Sequence, residues 1–210
     1  GDLSWKSLES LGDCEIFDYS ASEEIIPRAK NADIVLTNKA RLSKKVIDQL
    51  PGLKYIGVLA TGYNVVDVET ATKRQIPVTN VPAYSTESVA QMAFAHMLNL
   101  TQRVGHHDQT VKEGRWAKSR DFCYWDTPLQ EINDLILGIV GLGQIGQAVA
   151  RIGQGFGMHV MAYDIHPPDP LPVGIELFSL EVLLEYADIV TLHCPLTTDN
   201  VKMINKTTLS

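Results

Sequence analysis

Apolar residues in this chain come in short runs that alternate between two periods. Residues 136–140, ILGIV, form a compact and partly β-branched run of the kind seen in a parallel strand covered on both faces. The pattern then changes to a helical one through Ile145, Val149 and Ile152, and residues 159–163 give the next strand, ending at Asp164. Further strands are predicted near 175 and over 188–192. The first half alternates in the same way. Residues 15–19 and 33–37 read as strands separated by a helix over 22–30, and a helix over 43–50 is stopped by Pro51-Gly52. A strand over 54–59, a helix over 66–73 and a strand over 76–80 follow, the last ending before Pro82. Short strands joined by single helices make parallel sheets, so the pattern predicts an α/β protein with two parallel-sheet domains and a cleft. Ahead of the first strand, Leu3, Leu8 and Leu11 have helical spacing, and a helix is expected to begin after Asn205.

Between the two halves, residues 85 to about 113 carry one long helical pattern, with Ser85 or Thr86 placed to cap it and apolar residues on more than one face. Residues 114–128 have no clear period but hold Trp116, Phe122, Tyr124 and Trp125 among charged groups. Leaving these rings in water is unfavourable, which leaves packing on their own domain, cover for a cleft, or contact with a partner subunit.

Gly141, Gly143 and Gly146 fall at the G-x-G-x-x-G spacing just where the strand period gives way to the helical one. Gly141 permits the tight turn, Gly143 lets the backbone approach a pyrophosphate, and Gly146 lets helix and strand pack closely, while amides at the helix start face the phosphate charge. Asp164 stands eighteen residues after Gly146, at the end of the following strand. A carboxylate there accepts both ribose hydroxyls of NAD and repels a 2′-phosphate, the alternative being a surface cap. The stretch therefore reads as a Rossmann NAD-binding unit. In the first half, ligands of an open sheet would meet the strand ends at Asn38, the loop 60–63 and Val81-Pro82.

Composition narrows the field further. With a formal net charge of −7 and no cationic tract, the chain lacks the basic footprint of a nucleic-acid binder. No apolar run reaches the roughly eighteen residues of a bilayer span. Cys14, Cys123 and Cys194 are odd in number and far apart, with no C-x-x-C, so neither a disulfide framework nor a zinc site is indicated and a reducing cytoplasm is expected. No metal site is expected.

Six segments together carry a resemblance to a known family: LTNKARLS from 36, YIGVLATGYNVVD from 55, VTNVPAYSTESVAQ from 78, GRWAKSRDFCYWD from 114, LGIVGLGQIGQAVARIGQGFGMHVMAYD from 137, and LHCPLTTDNVKMIN from 192. The chain resembles the D-isomer-specific 2-hydroxyacid dehydrogenases, most closely their glycerate dehydrogenase (hydroxypyruvate reductase) branch. The resemblance implies a flavodoxin-like substrate domain over 1–98, lacking its first strand and its C-terminal return. It implies a Rossmann NAD-binding domain over 99–210, truncated in its second half. It also implies hydride transfer between NADH and hydroxypyruvate or glyoxylate, in a homodimer.

Carried over by motif position, Ala60, Thr61 and Gly62 would hold the substrate carboxylate through backbone amides. Thr86 would approach the nicotinamide and its phosphate. Gln144 and Ile145 would join the glycines at the pyrophosphate, and Cys194 and Pro195 would wall the adenine and a ribose. Ile165 and His166 would flank the adenosine. Asn200 stands where relatives usually have Thr. The family's Arg, Glu and His are expected beyond Ser210, so no residue of this chain is expected to be catalytic and the 210 residues alone are expected to be inactive. Two alternatives stand beside this reading: a reductase for another 2-hydroxy acid, such as lactate or phosphoglycerate, and an NAD-sensing corepressor on the same fold.

Overall fold

The computed structural model describes residues 4–208, which form two compact units, one ending at Tyr84 and the other beginning at Ser85. Leu3 and Ser210 lie outside the described residues.

The first unit runs α1 (Lys6–Glu9), α2 (Ile25–Ala29), β1 (Ile34–Thr37), α3 (Lys44–Asp48), β2 (Tyr55–Val58), α4 (Val68–Lys73) and β3 (Val78–Thr79). Its three strands are parallel in the order β1-β2-β3, with Ile34 opposite Tyr55 and Ile56 opposite Val78. Leu42, Ile47, Leu50, Ile56, Val58, Val66 and Ala71 form its core. The helices are short, and side chains fix the start of α4 and the end of α3. The Asp67 carboxylate accepts from the Thr70 amide at 2.9 Å, capping α4. The Arg74 guanidinium donates to the carbonyls of Ile47, Leu50 and Pro51 at the end of α3.

Residues 15–19, expected as a strand, are irregular. Alternation of side chains makes a strand only where a neighbouring backbone takes up its hydrogen bonds. Here the segment is instead pinned by Arg28, which donates to the Tyr19 carbonyl at 2.6 Å and lies 4.2 Å from the centre of the Phe17 ring.

The second unit runs α5 (Thr86–Gln102), α6 (Val104–Lys112), β4 (Ile136–Val140), α7 (Gln144–Gly155), β5 (His159–Tyr163), β6 (Ile175–Leu177), α8 (Leu180–Tyr186) and β7 (Ile189–Leu192). Its sheet is wholly parallel in the order β6-β5-β4-β7. Because β5 and β7 lie on opposite sides of β4, the strand order reverses there, and ligands of such sheets bind at the carboxyl end of that reversal. Leu137, Ile139 and Val140 are fully buried, as a strand covered on both faces requires. Gly138 is a glycine because α8 presses on the strand: a Cβ there would stand 2.7 Å from Leu183 and 2.8 Å from Ala187.

Helix α5 packs with this unit. Its Ala90, Phe94 and Met97 share a core with Leu137 and Val149, Phe94 stacks on Phe156 at 5.5 Å, and Glu87 pairs with Arg151 at 3.0 Å. The boundary expected at residue 98 and the division at Tyr84 therefore differ by most of this helix.

The single helix expected to about 113 is interrupted at Arg103, which adopts the left-handed conformation at φ +49°. The end of α5 is tied sideways to the returning chain, with the Gln102 side chain donating to the Gln130 carbonyl at 2.7 Å and the Gln130 amide to the Thr101 carbonyl at 3.3 Å. Beyond the break, Gly105 further weakens any continuation. The aromatic segment holds a 3₁₀ turn (Trp116–Lys118) and is laced to α6. Tyr124 bonds Thr110 through its hydroxyl at 2.7 Å, and Arg115 lies 4.6 Å from its ring centre. The Asp126 carboxylate takes both His106 and Arg115, which hold it below the usual carboxylate range. Tyr124 thus packs on its own unit, whereas Phe122 and Trp125 remain 88% and 66% exposed. After Asn205 the chain makes turns as far as Thr208 in place of the expected helix.

Candidate functional site

The carboxyl end of β4 leads straight into the glycine turn. Gly141 has φ +96°, and a Cβ on it would meet the Cys194 amide nitrogen at 2.6 Å, so the turn is pressed against the chain leaving β7. A Cβ on Gly146 would lie 2.1 Å from the Gly141 carbonyl oxygen, which is how closely α7 approaches the turn. Gly143 is different. Its φ is −68° and a Cβ on it would have nothing within 4 Å, so the protein itself makes no demand for glycine there.

That open space lies at the start of α7, which has no side-chain cap and no acidic residue in its first turn. The amides of Gly143, Gln144 and Ile145 donate to nothing among the described residues. Uncapped amides facing an open cradle suit an anion, because their partial charges are otherwise unmet. The residues present fit a dinucleotide pyrophosphate.

Asp164 stands beside this turn at the end of β5. Its Oδ2 accepts from the Leu142 amide at 2.5 Å and its Oδ1 from the His166 amide at 2.8 Å, so the carboxylate joins the glycine turn to the loop after β5. A carboxylate oxygen accepts more than one hydrogen bond, so both retain capacity for ribose hydroxyls. Ile165 and His166 are exposed beside it. Cys194 is half-buried and Pro195 exposed, in the loop that touches Gly141.

Asn200 holds that loop together. Its side-chain amide donates to the Pro195 carbonyl at 2.7 Å, and its oxygen accepts from the Thr197 amide at 2.8 Å. The sequence reading did not find this role, which depends on a chain reversal invisible in the spacing. Thr86 lies in the first turn of α5, whose neighbouring Glu87 is anchored to α7. The second unit thus gathers the three glycines, Gln144, Ile145, Asp164, Cys194, Pro195 and Thr86.

Ala60, Thr61 and Gly62 belong to the first unit, where they follow β2. The Ala60 carbonyl accepts from the Val81 amide at 3.1 Å and the Thr61 carbonyl from the Asn80 side chain at 2.8 Å. Their carbonyls are thereby turned back toward β3, while the amides of Thr61 and Gly62 donate to nothing among the described residues. No group of three or more His, Cys, Asp or Glu among the described residues could hold a metal ion, and no helix among them is long and apolar enough to cross a membrane.

Residues 94–210 match the family described as D-isomer specific 2-hydroxyacid dehydrogenase, NAD binding domain. The chain belongs to the D-isomer specific 2-hydroxyacid dehydrogenases. A hydroxypyruvate reductase of Blautia hydrogenotrophica is 45% identical over 210 residues, covering 98% of this chain and 65% of that protein. A glycerate dehydrogenase of Methylorubrum extorquens is 37% identical over 182 residues, covering 87% of this chain and 56% of that one. Among solved structures, the D-lactate dehydrogenase of Aquifex aeolicus complexed with NAD and lactic acid superposes with a TM-score of 0.85 at 30% identity, over 97% of this chain and 60% of that one. The chain thus spans less than two thirds of the curated relatives it matches. Since the family matched over most of the second unit is an NAD binding domain, the cofactor of that unit is NAD.

One titratable group of the NAD-binding unit gives a pH prediction. His193 leaves β7 half-buried, bonded to Thr191 Oγ1 at 2.8 Å, and burial lowers its pKa from 6.5. Between the folded and unfolded pKa values the unfolded chain binds the additional proton, so this contribution to stability is full above about pH 7 and falls as the pH drops through 6.5. Denaturant midpoints for the protein and for His193→Asn, taken from about pH 7 to about pH 5, should diverge most at the upper end if the histidine is held neutral. Parallel curves would show that His193 titrates alike in both states.

Proposed function

We propose that the protein reduces a small 2-keto acid, hydroxypyruvate or glyoxylate, to D-glycerate or glycolate with NADH. The observation that carries the substrate class is the 45% identity, along all but a few residues of the chain, to a relative named hydroxypyruvate reductase. The geometry supports the reading at two places. Gly143, Gln144 and Ile145 offer amides to the pyrophosphate, with Asp164 beside them for the ribose, Cys194 and Pro195 as a wall, and Thr86 for the nicotinamide side. In the first unit the amides of Thr61 and Gly62, with Ala60 holding the turn, offer donors in fixed orientation for the substrate carboxylate.

The nicotinamide, when bound, supplies the hydride. This chain's part is placement. Backbone donors that are already aimed need no reorganisation when charge arrives, so a keto acid held by Thr61 and Gly62 keeps its carbonyl in one orientation. Asp164 favours a free 2′-hydroxyl over a 2′-phosphate. We assign the proton to neither His106, which is committed to Asp126, nor His193, which is held by Thr191. The protein works as a homodimer in the cytoplasm. The exposed Trp116, Phe122 and Trp125 supply apolar area for a subunit interface, and three free cysteines suit a reducing compartment.

Steady-state NADH oxidation by the full protein, with hydroxypyruvate, glyoxylate, pyruvate and 3-phosphohydroxypyruvate in turn, tests the proposal. The first two are expected to exceed the others in kcat/KM by at least about tenfold, and a preference for pyruvate or the phosphorylated acid would overturn the substrate assignment. Sedimentation of the same preparation at micromolar concentration should give a dimer; a monomer would remove the homodimer from the proposal.

A further inference from the structure

The glycine turn is held at one residue, through the peptides on both sides of it. The Leu142 amide donates to Asp164 at 2.5 Å, and the Leu142 carbonyl accepts from the Gln147 side-chain amide at 3.1 Å. Leu142 is only 1% exposed, and among the described residues Gln147 is the one donor to that carbonyl. The Gln147 backbone meanwhile closes the first turn of α7 by donating to the Gly143 carbonyl at 2.9 Å. One residue therefore fixes the two carbonyls on either side of the Gly143 nitrogen, and fixing the Leu142 carbonyl fixes the direction of the Gly143 N–H, which shares its peptide plane.

The structure assigns to Gln147 the role of a positioning residue for the pyrophosphate-binding turn. Its side-chain amide is spent on a buried carbonyl, none of its atoms comes within 4 Å of where a Cβ on Gly143 would stand, and it acts on the cofactor through the peptide that it orients. The G-x-G-x-x-G spacing says nothing of this position, because the spacing records where side chains must be absent. The inference rests on NAD binding at this turn and on no assumption about the substrate.

Gln147→Met keeps the length of the side chain and removes the donor. Leaving a buried carbonyl unmet should weaken NADH binding about fivefold to tenfold. The loss should follow the phosphates. In the full protein, ADP affinity is expected to fall by the same factor as NADH, while adenosine, which lacks them, binds Gln147→Met and the parent equally. Equal NADH affinity in the two proteins would overturn the assignment, and so would a parallel fall for adenosine, which would mark a general loosening of the fold. Hydrogen exchange over 141–147 without cofactor supplies a readout independent of binding. It should quicken in Gln147→Met, and unchanged exchange overturns the clamp. Failure of the parent to bind NADH would refute NAD binding at this turn, and the exchange result would still decide whether Gln147 orders the peptide.

Discussion

Gly143→Ala is expected to weaken NADH binding severely while leaving the fold in place, and Gly146→Ala is expected to damage both. The two positions look alike in the motif but differ in what surrounds them. A methyl at Gly143 meets no protein atom within 4 Å, and its φ of −68° is open to any residue. Its stability should change by no more than the roughly 1 kcal/mol separating glycine from alanine at a helix cap. The same methyl intrudes where a pyrophosphate must approach, and overpacking of about 1–3 kcal/mol corresponds to a loss of affinity of about fivefold to 150-fold.

At Gly146 the methyl would lie 2.1 Å from a backbone oxygen, which cannot rotate away. The helix propensity gained by alanine, about 1 kcal/mol, does not offset a shift of α7 from the turn. Thermal melts and NADH titrations of both variants provide the comparison. The melting temperature of Gly146→Ala should fall by several degrees, at roughly 2–4 °C per kcal/mol. Parental NADH affinity in Gly143→Ala would refute phosphate approach at this turn.

Asp164 is expected to decide between NADH and NADPH, and its structural bond to Leu142 makes the choice of variant matter. Asp164→Asn keeps an oxygen that can accept from the Leu142 amide but gives up the negative charge and the acceptor for the His166 amide, which lies in an exposed loop. It should melt near the parent, lose roughly tenfold or more in NADH affinity, since a hydrogen bond to a charged group contributes about 1.5–3 kcal/mol, and bind NADPH better than the parent does. Asp164→Ala removes both functions and should lose more NADH affinity and some thermal stability. Titrating both cofactors against the unmodified protein comes first, because equal affinities there would mean that the carboxylate does not discriminate.

The parts legible in the sequence were those whose cause is local. The strand 136–140, its glycine turn, α7 and the acid at the end of β5 follow one another within about thirty residues, and each carries its own periodicity or steric requirement. The parts that were not legible depend on something distant. Residues 15–19 alternate like a strand, yet no neighbouring backbone among the described residues receives them. The apolar period through 85–113 continues past Arg103 although only α5 buries residues, and the end of α5 is tied to Gln130, which lies far along the chain. The spacing of Asp164 leads to the expectation of a ribose acceptor, whereas its bond to Leu142, like those of Gln147 and Asn200, exists only once the loops are in place.

The attachment of α5 to the second unit has a bearing on how such proteins exchange parts. Genetic recombination preserves function best where the joined pieces keep their internal contacts. A crossover between Tyr84 and Ser85 would carry Thr86, the Glu87–Arg151 pair, the Phe94–Phe156 stack and the glycine turn into a new context as one inheritance. A crossover at residue 98 would deliver the same glycines and Asp164 with Ala90, Phe94 and Met97 replaced by whatever the other parent supplied, exposing the α7 surface around Gly153 to an unmatched helix. Chimeras joined at the first point should therefore retain NADH binding across diverse parents, and those joined at the second only where the parents' helices are alike.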